Sequence, residues 1–253
     1  MLKFLFQHYT VLEKIFGLLK KQKESAKGRV IRHLVLVARG IAYQAKKDSI
    51  EFSEAYRRAF ERLKELIGLQ VELNIPILTI DILPEYAQAK EYFMPAVAEL
   101  GEFLQWLNKA EFIHKNMVKV SFFGKWYRLP SDVVEMAKKV IEETKRYDSF
   151  FLNFCINYNG REEILDTCRL IAKQVQIGKL DPEMINEQIF KENTYAGYFL
   201  PPDLIIKTGL LKKMNTLLWD LPDAELCFLE KSFLHLSKDE LKKIIDDFKL
   251  RKY

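Results

Sequence analysis

The sequence predicts an α/β protein, a single domain on a roughly six-stranded, mostly parallel sheet flanked by helices. Three observations lead there. Short apolar runs alternate with longer stretches of helical periodicity along the chain. Four of the runs are apolar almost without alternation, the pattern of strands covered on both faces. No Gly/Ser-rich linker, low-complexity tract or internal repeat divides the 253 residues.

Taken in order, the first element is an amphipathic helix over 1–28. Leu2, Leu5, Tyr9, Leu12, Phe16 and Leu19 recur at helical spacing, with His8, Lys14, Lys20 and Lys21 among the polar positions. Polar residues interrupt it too often for a membrane span. The expectation is a helix packed on the domain, the alternative one lying on a membrane surface with Lys20–Lys23 near anionic headgroups. The domain proper, 29–253, carries predicted strands at 33–37, 77–82, 118–123, 150–156, 203–206 and 225–229. Helices are predicted over 53–72, about 86–108, 131–147 and 161–177, and a solvated final helix over 238–252. Ser131 and Asp132 stand where a helix cap belongs.

Composition narrows the function. Hydrophobic residues make up 49% and charged residues 30%, a folded, soluble balance. Three scattered cysteines make neither a disulfide framework nor a zinc site and suggest a reducing, cytoplasmic location. A charge of +5 spread along the chain argues against a nucleic-acid binder, while leaving room for an anionic ligand. His8, His114 and His235 lack ligand spacing, and the aromatic cluster 122–127 reads as core packing. In open parallel sheets ligands bind beyond the carboxyl ends of the strands, so the chemistry is expected after Val37, Ile82, Phe123, Ile156, Ile206 and Leu229.

Two of those places carry a specific pattern. Phe151-Leu-Asn-Phe-Cys-Ile-Asn-Tyr-Asn-Gly-Arg-Glu-Glu-Ile164 resembles the strand, Asn-Tyr-Gly-Gly-Arg-x-Glu-Ile turn and helix of cis-prenyltransferases, the undecaprenyl and dehydrodolichyl diphosphate synthases. Pro202-Asp-Leu-Ile-Ile-Lys-Thr-Gly209, Asn215-Thr-Leu-Leu-Trp219 and Ala224-Glu-Leu-Cys-Phe228 resemble that family's Pro-Asp-Leu-Ile-Ile-Arg-Thr, Asn-Phe-Leu-Leu-Trp and Ala-Glu-Leu-Tyr-Phe segments. The resemblance is clear from about 145 to 230, and looks archaeal or eukaryotic in its N-terminal part. It implies a protein that lengthens polyprenyl diphosphates of the dolichol type inside an apolar tunnel. The stripe Phe93, Val97, Leu100, Leu104 and Leu107 would line that tunnel, and Met94 and Trp106 would narrow it.

The first family motif, His-(strand)-Met-Asp-Gly-Asn, supplies an aspartate for magnesium and diphosphate departure. Here it reads His33-Leu-Val-Leu-Val-Ala-Arg-Gly-Ile41: Gly40 matches the glycine, Arg39 stands at the aspartate and Ile41 at the asparagine. A guanidinium is permanently cationic and has no lone pair for a metal. The second motif, Tyr-Ala-Phe-Ser-x-Glu-Asn-Trp, has become Asp81-Ile-Leu-Pro-Glu-Tyr86. Glu51 and Glu54 fall where the family has a basic phosphate pocket. Lys207 replaces the arginine of Ile-Ile-Arg-Thr, and Lys212 or Lys213 stands in for the loop arginine. Glu225 matches the glutamate that helps hold magnesium, in many members across a dimer interface. Asn157, Arg161 and Trp219 are expected to be structural or interface residues.

Retained C-terminal motifs with the first two lost resemble the non-catalytic subunit of the family's heteromeric enzymes. That reading implies an aspartate-bearing paralogue as partner, or a homodimer, prenyl diphosphates as ligands, and Mg²⁺ shared with or held by the partner. It also leaves room for peripheral membrane contact, and no nucleic acid. The accessory chains end in Arg-x-Gly; this one ends Lys249-Leu-Arg-Lys-Tyr253, with Arg251 standing closest to that arginine. Two alternatives stay open. One is a divergent active enzyme in which Asp81 or Glu85 recruits the metal and Arg39, Lys207 and Lys212 stabilise the leaving charge. The other is a prenyl-lipid binding protein.

Overall fold

The computed structural model describes residues 28–251, so the predicted N-terminal helix lies outside the described residues. Six parallel strands form one sheet in the order β3-β4-β2-β1-β5-β6. They are β1 (His33–Val37), β2 (Ile77–Pro84), β3 (Val118–Phe123), β4 (Phe150–Tyr158), β5 (Leu204–Thr208) and β6 (Glu225–Leu229). The helices are α1 (Ile41–Lys47), α2 (Phe52–Glu72), α3 (Phe93–Lys109), α4 (Glu111–Lys115), α5 (Ser131–Thr144), α6 (Gly160–Gln176), α7 (Glu187–Glu192) and α8 (Lys238–Leu250).

The four central strands, β4, β2, β1 and β5, are buried along their whole length, which is why they read as unbroken apolar runs. The edge strands differ. β3 mixes buried and half-buried positions, and β6 is nowhere fully buried. One face of the sheet is covered by α2, α3, α5 and α8, whose apolar stripes join Leu34, Leu36, Ile80 and Phe154 in the main core. On α2 the stripe is Tyr56, Ala59, Phe60, Leu63 and Ile67, at helical spacing. The other face carries a smaller cluster in which Val35, Val37, Phe123, Cys155 and Tyr158 meet Ala196, Phe199 and Leu217.

Several predicted boundaries move. The helix expected from about 86 begins only at Phe93, preceded by a 3-10 turn at Glu85–Ala89. Pro95 explains this: a helix begun at 86 would need its missing N–H, whereas in the first turn of α3 that N–H has no helical acceptor to lose. Ser131 is the first residue of α5 and Pro130 takes the cap position without a side-chain bond, so the predicted cap is not formed. β4 runs on through Asn157 to Tyr158, so Asn157 belongs to the strand end and not to the turn.

Candidate active-site cavity

The strand registers place Phe123, Cys155, Asp81, Val37, Lys207 and Phe228 in one row across the sheet. Asp81 and Lys207 therefore flank Val37, near the carboxyl ends of their strands. Past Val37 the chain turns at Gly40, whose φ of 85° lies in the left-handed region and whose Cα side meets Gly209 and Ser232 closely. This turn carries Arg39 back over the row. Its backbone is fixed from three sides: Arg39 N–H donates to Thr208 Oγ1 (2.8 Å), and its carbonyl accepts from Thr208 Oγ1 (3.0 Å) and Phe233 N–H (2.9 Å).

The guanidinium closes on the chain's own acid. Arg39 Nη2 donates to Asp81 Oδ2 at 2.6 Å, and Nη1 donates to the carbonyls of Asp81 (2.8 Å) and Ala38 (3.0 Å). The Thr216 hydroxyl donates to the same Asp81 Oδ2. Asp81 is 1% exposed and the Arg39 side chain 15%. Burial opposes the charge on Arg39, yet Asp81 beside it more than compensates and holds the guanidinium pKa above its ordinary value. Among the described residues Lys207, 5% exposed, donates to the carbonyls of Thr208 (3.4 Å) and Leu211. Burial, then the neighbouring Arg39, lower its pKa from 10.5.

Above this floor opens a cavity of about 910 Å³, lined by the ends of β1, β2 and β5, by α1, and by the loops that follow β5 and β6. That lies within the size range of small-molecule sites, about 300–1,000 Å³. Tyr43, Tyr56, Tyr86, Tyr92 and Tyr158 face it, with Lys47, Lys213 and Lys231. A second network fixes the wall: Tyr158 OH donates to the Glu163 carboxylate and accepts from Leu217 N–H (3.0 Å). Glu163 Oε1 also accepts from Tyr195 N–H (2.9 Å), and burial raises its pKa despite these bonds.

Of the residues singled out from the sequence, Arg39, Gly40, Lys207 and Lys213 come together at the cavity. Lys212 turns out to solvent and pairs with Glu230 at 3.1 Å. Glu225 stands at the opposite end of the sheet: it pairs with Leu204 at the start of β5 and engages Arg29 (2.9 Å) and Arg251. Glu54 is neutralised by Arg57 (2.7 Å) and Arg58 (2.6 Å) on the surface of α2. Glu85 accepts from Asn159 Nδ2 at 3.2 Å. Asn157, with φ of 50°, donates to the Lys125 carbonyl (3.0 Å) and accepts from Gln88, tying β3 and β4 to the turn after β2. Arg161 N–H caps onto Asn159 Oδ1 at the start of α6 (3.0 Å), and Trp219 packs against Phe190 with ring centroids 4.0 Å apart and the planes tilted by 30°.

The donor set does not fit magnesium. One oxygen of Asp81 is taken by Arg39 and Thr216, and the other is buried without a hydrogen-bond partner. Among the described residues no group of three or more His, Cys, Asp or Glu side chains is placed to hold a metal ion.

Residues 41–253 match the family model described as putative undecaprenyl diphosphate synthase. The chain belongs to the cis-prenyltransferase family. It is 32% identical over 96% of its length to a tritrans,polycis-undecaprenyl-diphosphate synthase (geranylgeranyl-diphosphate specific) of Methanopyrus kandleri, covering 89% of that protein. It is 30% identical over 94% of its length to an isoprenyl transferase of Streptococcus pyogenes, covering 97% of it. Among solved structures, the fold matches lavandulyl diphosphate synthase from Lavandula x intermedia with a TM-score of 0.82 at 23% identity, covering 88% of this chain and 96% of that one.

Against the family motifs, the cluster acquires a meaning that no single residue has. In the motif resemblance Arg39 stands at the family aspartate, Asp81 falls within the altered second motif, and Thr216 stands at the phenylalanine of Asn-Phe-Leu-Leu-Trp. These three residues, far apart in sequence, meet on the cavity floor, where Arg39 and Thr216 both donate to Asp81 Oδ2. Thr216 escaped the sequence reading, and so did the tyrosine walls. The signal was present for Thr216: a hydroxyl where the pattern has an aromatic ring.

Proposed function

We propose that this cis-prenyltransferase-family chain is a non-catalytic subunit in polyprenyl diphosphate synthesis, working with an aspartate-bearing paralogue. One observation carries the reading: Arg39, which by the motif resemblance takes the position of the family's metal-holding aspartate, is tied up in an ion pair with the buried Asp81. Arg39 is held by its own chain's acid, and Asp81 has a fixed cation in place of a metal. Magnesium, on this reading, is held by the partner. Glu225 contributes to it only across an interface and only after giving up Arg29 and Arg251. Three free cysteines support a reducing, cytoplasmic setting. Among the described residues no helix is long and apolar enough to cross a membrane, so any membrane contact is proposed as peripheral.

What the chain's own residues do is bind and orient. Lys207 and Lys213 offer positive charge to a diphosphate, and the tyrosine walls exclude water from a small apolar tail. The open cavity also favours a second reading, a prenyl-lipid binding protein without a synthase partner. One experiment separates them. The purified chain, given allylic and isopentenyl diphosphates with magnesium, is expected to form no product, while co-expression with the paralogue yields a stable mixed dimer of raised synthase activity. Turnover by the isolated chain rejects the subunit reading; absence of any mixed dimer leaves the binding protein.

A further inference from the structure

The helix-covered face of the sheet is closely packed. Between α2 and α3, Phe60 stacks on Phe103 at 5.1 Å, and Phe103 meets Phe154 at 5.6 Å and Trp106 at 5.7 Å. Val97, Leu100, Leu104 and Leu107 are at most 2% exposed, and none of them lines the cavity. The stripe expected to line a tunnel is therefore core, and of the two residues expected to narrow it, Trp106 packs on Phe103 and Phe112 while Met94 is 58% exposed.

The opposite face, at the β3 edge, is different. Strand alternation divides β3: Val118, Val120 and Phe122 join the main core, while Lys119, Ser121 and Phe123 fall on the other face. Phe151 on β4 stands in register with Lys119. Lys119, Ser121, Phe123 and Phe151, with Tyr195 and Phe199 from the segment before β5, line a second cavity of about 430 Å³. It shares no lining residue with the first cavity and also falls within the size range of small-molecule sites.

Rings dominate its wall, and they are held at angles to one another. Phe151 meets Phe199 edge-on at 5.5 Å, and Phe123 lies tilted against Phe199 at 6.1 Å. A flat ring entering there finds both faces and edges, a geometry worth more than the area it buries. Tyr195 is fixed in place, its hydroxyl donating to Asp166 Oδ2 at 2.5 Å and its N–H to Glu163 Oε1 at 2.9 Å. Among the described lining residues Lys119 is the one charged side chain. It is half-buried and makes no hydrogen bond or ion pair among the described residues. Burial works against its charge and lowers its pKa from 10.5, which Asp148 offsets only in part. An anion on the same amine reverses that effect. A lysine here also keeps the edge strand from pairing with another chain, a role that needs neither the cavity nor its rings. One amine is too little for a diphosphate, so the walls fit a single negative charge carried on a flat ring.

We propose that this second cavity binds a planar aromatic monocarboxylate, its carboxylate on Lys119 and its ring among Phe123, Phe151 and Phe199. The inference stands independently of the reading of the first cavity.

The test is a calorimetric titration of the full-length purified chain with three probes: 2-naphthoate, the uncharged 2-naphthalenemethanol, and octanoate, which has the charge without the ring. The acid is expected to bind about tenfold or more tighter than the alcohol, the scale of one hydrogen bond to a charged group. It is expected to bind about fivefold tighter than octanoate, the scale of an aromatic pair. Lys119→Gln is expected to bring 2-naphthoate down to the affinity of the alcohol and to leave the alcohol unchanged, whereas Lys119→Arg keeps the preference for the acid. Ser121→Phe, which fills the cavity and keeps the amine, serves as a second variant should Lys119→Gln fail to fold, and is expected to weaken all three probes. An excess of geranyl diphosphate is expected not to displace 2-naphthoate. Displacement by geranyl diphosphate, an affinity unchanged by Lys119→Gln or Ser121→Phe, octanoate binding as tightly as 2-naphthoate, or no binding of 2-naphthoate overturns the proposal.

Discussion

Arg39 and Asp81 are each costly to bury and are tolerable only together. Removing one partner of such a pair leaves an uncompensated charge and costs about 3–5 kcal/mol, whereas replacing both by apolar residues of similar volume is often near neutral. The thermodynamic cycle is therefore asymmetric. Arg39→Met alone is expected to lower the unfolding free energy by about 3–5 kcal/mol, and Arg39→Met with Asp81→Leu to recover most of that loss, measured by urea denaturation. Additive single losses would mean the two side chains do not act as a unit. For the same reason Arg39→Asp alone is a poor route back to an enzyme: it sets a second carboxylate against the buried Asp81, and the like charges repel. At this scale the sequence was half legible. Arg39 announced itself as a sign reversal within a motif and Asp81 as an acid in another, but nothing announced that the two pair. Asp81 lies 42 positions away, inside an apolar strand, and strand periodicity says nothing about which residue faces it across the neighbouring strand.

Among the elements, the strands were the readable part, because burial on both faces leaves an unbroken apolar run. The start of α3 was not, since helical spacing continues through a turn that only Pro95 forbids. The opposite end of the sheet carries its own polar anchor. His33 at the head of β1 meets the Leu200 carbonyl at 2.7 Å through Nδ1 and the Thr79 hydroxyl at 2.8 Å through Nε2. A carbonyl can only accept, so Nδ1 carries the proton in the neutral ring. Burial, with Lys191 and Arg32 nearby and Asp203 opposing them, lowers the His33 pKa from 6.5 to about 4. The unfolded chain then takes up its proton first as pH falls. This contribution to stability is complete above pH 6.5 and is lost on the way down to about 4. It amounts to roughly 3 kcal/mol over that window. Relative to the wild type, His33→Asn is expected to flatten the pH dependence of unfolding between those values; parallel curves would show that His33 does not titrate as described.

Across the whole molecule, the candidate site residues are divided between the two ends of the sheet. The carboxyl ends of β1, β2 and β5 hold a cavity with cationic and phenolic walls and a neutralised floor. The amino end of β6 holds Glu225, locked by arginines from the two ends of the described chain. The family was legible in the sequence because its C-terminal motifs survive in order and spacing. The closed interior was not, because a stripe of leucine and phenylalanine at helical spacing reads the same whether it lines a tunnel or fills a core. The proposed function rests on one physical claim: the described residues of this chain provide no place for a divalent metal beside a prenyl diphosphate. Electron paramagnetic resonance of Mn²⁺, standing in for magnesium, measures this directly on the purified full-length chain with geranyl diphosphate present. The account predicts only the spectra of free and diphosphate-bound Mn²⁺, unchanged by Asp81→Asn. A protein-bound Mn²⁺ at one per chain, abolished by Asp81→Asn, would contradict it.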